Sequence, residues 1–412
     1  MPDETTATSL LKTKRYGAFW VGSLLSNIGS WMQSVAEPWL VITTSGSSFL
    51  LGLDAFALNA PFWILTLLGG ALADRADKGK VIFLFQGIQM LCPALIFVLL
   101  AAGWIKVWII ILLSLIVGIT DALSMPAFSS LIPSIVTKRE QRQAIALNSV
   151  QFNLSRVLGP AIAGVVMIRY GALWCFGANA VSYIPFFLTI YWILPWSKMA
   201  RRRKMIAKPT TPPAQIIRQI LRDKNIKWHV MSVLVTSLFC GPIITFTPVV
   251  VRSVFHGGAG DFGKLITGFG IGGLIGPLFI MATAKTLKSR WISLVSPLLY
   301  GILVMSVPLV SSSHQFLFVL VGSGFLMTVG NTSANTFLQL SIDDANRGQM
   351  ASIYMLAMRG GLSVGNLLCG AMAGMMGIGA TFMVIGILAT GSQAFVLAKC
   401  LRINAIKPAQ NR

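Results

Sequence analysis

VIFLFQGIQMLCPALIFVLLAA, residues 81–102, holds no charged side chain. At 1.5 Å per residue, these 22 residues make a helix of about 33 Å, enough to cross a hydrocarbon core of about 30 Å. Lys80 stands before the run, and Lys106 follows it after a short Gly-containing break. The next run, 106–133, carries one charge beyond its opening lysine, Asp121. Reading outward in both directions gives twelve such runs: 17–43, 48–73, 81–102, 106–133, 144–168, 172–195, 227–252, 262–284, 290–310, 314–340, 349–374 and 378–400. The first and seventh contain Pro38, Pro242 and Pro248, which membrane helices tolerate when neighbours satisfy the freed carbonyls. The runs are long and continuous, unlike the ten-residue alternation of a β-barrel.

Composition leads to the same place. Of 412 residues, 55% are hydrophobic and 11% charged, against roughly 25% charged in soluble domains. Most of the surface therefore faces something other than water, which excludes an ordinary soluble enzyme and a disordered chain. The expected fold class is all-α and polytopic, with twelve transmembrane helices. Net charge is +21, from 33 Lys and Arg against 12 Asp and Glu. With the N-terminus placed in the cytoplasm, 27 of the basic residues fall in inside loops and tails, four outside (Lys106, Arg169, Arg252, Lys264) and two within spans. That asymmetry follows the positive-inside rule and explains the basic excess without nucleic acid. Both termini are then cytoplasmic. The first apolar run begins after Lys12, Lys14 and Arg15, lacks a small-residue cleavage site and reads as the first span rather than a cleaved signal. Cys92, Cys175, Cys240, Cys369 and Cys400 lie in apolar stretches without metal-ligand spacing.

The longest polar stretch, 196–226, contains Arg201-Arg202-Arg203-Lys204 and then Pro209, Pro212 and Pro213. It divides the chain into a tail (1–16), a six-helix half (17–195), a basic linker, a second six-helix half (227–400) and a closing tail (401–412). Within the linker, Ile216, Ile217, Ile220 and Leu221 share one face, the pattern of an interfacial amphipathic helix or of a solvated linker helix. A shift of 206 residues superposes Gln143 on Gln349, Gly159 on Gly365, Gly164 on Gly370, Gly171 on Gly377 and Phe176 on Phe382. Such a repeat suits a duplicated unit, as in transporters whose halves rock about a midplane site.

Two segments carry a resemblance. Residues 69–80, GGALADRADKGK, are similar to the signature loop G-x-x-x-D-R-x-G-R-R/K of the major facilitator superfamily, with Gly70, Asp74 and Arg75 matching. Asp77 stands where the family has Gly, and the second basic residue is displaced to Lys80. Residues 155–164, SRVLGPAIAG, resemble the antiporter motif g-x-x-x-G-P-x-x-G-G through Gly159, Pro160 and Gly164, with Ser155 and Ala163 replacing two glycines. The opening SNIGSWMQSVAEPWLV (26–41) and Pro126-Ala127 are similar to the drug:proton antiporter branch that contains enterobactin and macrolide exporters. The resemblance implies two pseudo-symmetric six-helix bundles in a bacterial inner membrane, and a cytoplasmic gate at Gly70, Asp74, Arg75 and Lys80. A plain topology anchor in a tight turn is the other reading of that loop. Gly159, Pro160 and Gly164 allow close helix approach and a kink.

Five charges fall within spans: Glu37, Asp54, Asp121, Arg156 and Arg359. A charge at the bilayer centre costs about 2.5–3.5 kcal/mol on insertion scales, so depth decides which is a functional candidate. Asp54 lies about 9 Å into its span, Glu37 lies in the outer part of the first, and Arg359 in the inner half of the eleventh. Asp121 and Arg156 sit nearer mid-depth on adjacent spans. Asp121 is the first candidate for a proton carrier with Arg156 as its charge partner, and Glu37 and Asp54 are runners-up. Polar residues recur at helical spacing beside them: Asn27, Ser30, Gln33, Ser34 and Glu37; Ser114, Gly118 and Asp121; Thr328, Asn331, Asn335 and Gln339. The resemblance implies that helices one, four, seven and ten line a central cavity. Asn27, Trp31, Gln33, Asn331, Asn335, Gln339 and Arg359 are the substrate-cavity candidates. Interhelical hydrogen bonding within a packed bundle is the competing account.

The expected function is secondary export of a small organic molecule (a siderophore, drug-like or amphipathic compound) in exchange for protons, by a monomer in the lipid bilayer. Uptake by symport and lipid handling without proton coupling are the alternatives. No phosphate loop or metal cluster is present, and His229, His256 and His314 lie near span ends or in loops, so neither an enzyme nor an ATP-driven pump is expected, and no cofactor.

Overall fold

The computed structural model describes residues 7–65, 78–137, 139–201, 222–283, 289–343 and 347–406. Among these there is no strand. The helices are α1 (Ala7–Leu11), α2 (Lys14–Ser45), α3 (Ser48–Asn59), α4 (Lys78–Ala101), α5 (Val107–Ile135), α6 (Gln141–Tyr170), α7 (Leu173–Arg201), α8 (Lys224–Phe239), α9 (Pro242–Ser253), α10 (Ala259–Thr283), α11 (Ser289–Ser306), α12 (Ser313–Leu340), α13 (Arg347–Met376) and α14 (Ile378–Ile406).

Ten helical stretches among the described residues are long and apolar enough to cross a membrane. The first and eleventh expected spans do form helices, of 32 and 30 residues. They stay outside the ten because polar side chains, Gln33 and Glu37 in α2 and Arg359 and Asn366 in α13, interrupt their apolar surface. The seventh expected span is broken between Phe239 and Pro242, where Gly241 precedes a proline that lacks the N–H a continuous helix needs. Pro38 causes no such break, and α2 runs through it.

The chain forms two compact units. One comprises Met1–Gly46 and Pro61–Ile206; the other comprises Ser47–Ala60 and Ala207–Arg412. Water does not drive helices together inside a bilayer, so close packing and interhelical hydrogen bonds must do so. In the first unit, Tyr16, Phe19, Ile82, Leu131 and Phe186 form a buried cluster. Phe19, Phe128 and Phe186 meet with ring centroids 5.9–6.2 Å apart. The Tyr16 hydroxyl donates to the Ala144 carbonyl (2.8 Å) and the Trp20 indole to that of Leu147 (2.9 Å), tying α2 to α6. In the second unit Val233, Leu338, Met350 and Tyr354 join α8, α12 and α13.

The 206-residue repeat has a physical counterpart. A Cβ on Gly159 would run into Trp31 and the Ile28 carbonyl, so glycine lets α6 lie against α2. At the matching position, a Cβ on Gly365 would strike the Leu238 carbonyl, and glycine lets α13 lie against α8. Gly171 and Gly377 both turn the chain with positive φ (86° and 80°), which L side chains rarely adopt. Phe176 and Phe382 are both fully buried.

Gly159→Val and Gly365→Val are each expected to lower stability in detergent by about 1–3 kcal/mol, the usual cost of overpacking. Gly374→Ala, on α13 but with open space where its Cβ would go, leaves the melting temperature unchanged or slightly raised, because Ala is the better helix former. Thermal unfolding followed by intrinsic fluorescence compares the three.

Candidate functional site

Glu37 lies on α2 one turn beyond Gln33 and is buried, at 7% exposure. Its carboxylate accepts from the Ser114 hydroxyl of α5 at 2.6 Å and from the Gln33 amide at 2.7 Å. The Gln33 carbonyl oxygen in turn accepts from the Asn179 amide of α7 at 2.5 Å. Ser114 and Asn179 are both buried. Three helices of the first unit therefore meet around one carboxylate, and a chain of side-chain hydrogen bonds runs Ser114–Glu37–Gln33–Asn179. The spacing explains it. Positions 33 and 37 stack on one face of α2, while Ser114 supplies a donor from an otherwise apolar stretch of α5. A hydrogen bond to an ionised group is worth about 1.5–3 kcal/mol, which offsets part of the cost of holding charge away from water. The same hydrogen bonds can rearrange when the carboxyl takes up a proton and becomes a donor itself.

The other ionisable candidates are placed differently. Asp54, on α3, is 4% exposed, enclosed by neighbouring protein. Asp121 and Arg156, the first-choice pair, are half-buried on α5 and α6. Asp121 lies within electrostatic reach of the Tyr183 phenol, whose hydroxyl sits 3.3 Å from that of Ser30. The Arg156 guanidinium lies 6.0 Å from the centre of the Trp31 indole, and that indole packs edge-on against Phe152. Asn27 is half-buried on α2. Arg359 of α13 donates to the Asn59 side chain of α3 at 3.0 Å, and the Ser363 hydroxyl donates to the Phe56 carbonyl at 3.4 Å. This makes a second polar contact, within the second unit. Gln339 donates to Asn335 at 2.9 Å on α12, and the Asn331 carbonyl accepts from Tyr354 at 3.2 Å.

Of the motif residues, Gly159 packs as described above and Pro160 is buried beside it. Gly164 lies further along the same helix. Gly70, Asp74 and Arg75 lie outside the described residues, as does most of the linker helix expected near 214–227. Lys80 is exposed near the start of α4. Asn59, Asn179 and Tyr183 are polar partners that the sequence pattern does not single out. A polar residue inside a long apolar run was the available signal for each, but only a neighbouring helix tells a partner from a packed bystander.

Residues 5–410 match a family model described as a transmembrane secretion effector. The chain is 28% identical over 374 residues to the staphyloferrin A transporter of Staphylococcus aureus, covering 90% of this chain and 92% of that protein. It is 23% identical over 386 residues to the enterobactin exporter EntS of Shigella boydii, covering 89% and 88%. Among solved structures it resembles a D-xylose–proton symporter, with a TM-score of 0.70, 13% identity and coverage of 92% and 96%, a likeness of fold alone. These relatives are transporters, not enzymes, and the apolar helices fit a multi-pass protein of the bacterial inner membrane. A match running almost from end to end, on an all-helical frame of this kind, makes the chain a member of the transmembrane secretion effector family of the major facilitator superfamily.

Proposed function

We propose that this transporter exports a siderophore-class small molecule by alternating access, in exchange for protons. Twelve spans in two six-helix halves carry it, with a basic linker over 196–226 and both termini in the cytoplasm. The single observation behind the proton step is the buried Glu37 carboxylate, with Ser114 and Gln33 as donors and Asn179 one bond further on. A carboxyl that exchanges charge for a proton among fixed donors changes the energy of that helix contact, and so couples protonation to conformation. Glu37 takes the leading role here. Asp121 and Arg156 act as a supporting charge pair, and Asp54 as a further buried carboxylate. The substrate class is supported by the names of the two relatives, a staphyloferrin A transporter and an enterobactin exporter. Asn27, Trp31, Gln33, Asn331, Asn335, Gln339 and Arg359 are assigned to the substrate path, and Gly70, Asp74, Arg75 and Lys80 to a cytoplasmic gate.

In proteoliposomes with an imposed pH gradient, staphyloferrin A and enterobactin serve as probes. Glu37→Gln is expected to lose about 100-fold or more of gradient-driven flux, in the range for removing a positioned acid–base group, while remaining folded by its melting transition. Asp121→Asn is expected to be milder. Coupled flux that is unchanged in Glu37→Gln would remove this carboxylate from the mechanism. Inverted and right-side-out vesicles report the direction.

Ser114→Ala is expected to cost about 1.5–3 kcal/mol beside the Glu37 carboxylate and clearly less in a Glu37→Gln background. A double-mutant cycle of unfolding in detergent reads that difference. Strict additivity would mean that the carboxylate's charge adds nothing to the 2.6 Å contact beyond what an amide oxygen supplies.

A further inference from the structure

In the second unit, α8 and the closing helix α14 border an open groove of about 500 Å³. Trp228, Met231 and Val235 line it from α8, and Gly391, Ser392, Phe395 and Val396 from α14. On α8 the lining residues follow steps of three and four, and on α14 the pair 391–392 recurs one turn later as 395–396, so each helix turns one mostly apolar face to the groove. Gly391 leaves the space open, since a Cβ added there would meet nothing within 4 Å. The floor is solid: Val396, Cys400 and Leu294 form a buried cluster. Behind it the two helices are locked together. The Gln393 amide donates to the Ser232 carbonyl (2.9 Å) and the Thr236 hydroxyl (2.8 Å), and the Ser232 hydroxyl donates back to the Gln393 carbonyl oxygen (2.9 Å). All three residues are buried, so the groove is preformed rather than a gap between loose helices.

One end of the groove is basic. Trp228 and Phe395 pack edge-on with centroids 5.7 Å apart, which brings the start of α8 level with the last turns of α14. The Lys227 ammonium lies 5.8 Å from the Trp228 ring centre, and the Lys399 ammonium 5.2 Å from that of Phe395. Arg402 follows within one further turn of α14. Among the described residues, neither lysine pairs with a carboxylate. Two ammonium groups over an aromatic pair, at the point where both helices end their apolar stretch, make a rim of headgroup chemistry above a slot of hydrocarbon chemistry.

We infer that this groove binds one anionic phospholipid, with its phosphate between Lys227 and Lys399 and an acyl chain along Met231, Val235 and Gly391. The charge of the rim selects an anionic headgroup over a zwitterionic one, and the apolar lining selects a lipid over a soluble anion. Basic residues near a membrane surface add about fivefold each in affinity for anionic lipid, so the two lysines together supply roughly 25-fold. The inference stands apart from the transport cycle and from the role of Glu37.

The test uses the full chain purified in mild detergent and native mass spectrometry with equimolar phosphatidylglycerol and phosphatidylcholine of identical chains. The wild type is expected to retain phosphatidylglycerol by roughly 25-fold over phosphatidylcholine. The double variant Lys227→Gln, Lys399→Gln brings the two lipids to near parity. Gly391→Leu, which fills the slot and leaves both lysines in place, removes the retained lipid. Melting temperatures verify that each variant is folded, and either variant alone suffices to decide. Equal retention of the two lipids by the wild type overturns the inference, as does an unchanged phosphatidylglycerol adduct in Gly391→Leu. Displacement of the lipid by millimolar inorganic phosphate would reveal a simple anion site, and overturns it too.

Discussion

Hydrocarbon offers no hydrogen bonds, so every polar group this chain carries into the membrane has to be met from within the protein. The backbone meets that demand by being helical along nearly all of the described spans. Many hydroxyls meet it with a carbonyl one turn back on their own helix, and some side chains with a partner on another helix. Glu37 is the sharpest case, because a carboxylate needs several donors at once. It receives them from Ser114 on α5 and Gln33 on its own helix, with Asn179 on α7 holding the Gln33 amide in turn. The arrangement of three helices in the first unit and the solvation of one charge are therefore the same fact.

Close approach makes such contacts possible. Side chains only a few bonds long can bridge two helices when the helices nearly touch, and glycine allows that. Gly159 brings α6 onto α2, and Gly365 brings α13 onto α8. The second unit repeats the logic with different chemistry. There Gln393, Ser232 and Thr236 join α8 to α14, and Arg359 reaches Asn59. These glycines and amides serve different helix pairs, but at Gly29 of α2 they meet, where a Cβ would strike Ser182 and Asn179 of α7. The same economy leaves Gly391 facing open space, and a groove remains where no side chain fills it.

Burial and depth along the chain turned out to be separate quantities. Counting residues from a span end puts Asp121 and Arg156 deepest, yet both are half-buried, while Glu37 and Asp54, nearer the span ends, are almost fully enclosed. Position along a helix measures distance from the headgroups. Enclosure depends on which face a neighbour covers, and α2 and α3 happen to present Glu37 and Asp54 to neighbours.

The helical character of this protein, its membrane setting and its transporter family were legible in the order of its residues. An uncharged run of 22 residues admits few other conformations, and charge between such runs marks where they end. The glycine repeat was legible too, because a missing side chain leaves the same mark in sequence as in space. The tertiary structure alone decided which polar residues are partners. Ser114, Asn179 and Asn59 sit far along the chain from Glu37, Gln33 and Arg359, and a hydrogen bond forms only where rotation and tilt aim two side chains at each other. Those angles come from the packing of whole helices, a sum over many weak contacts that no single stretch of sequence carries.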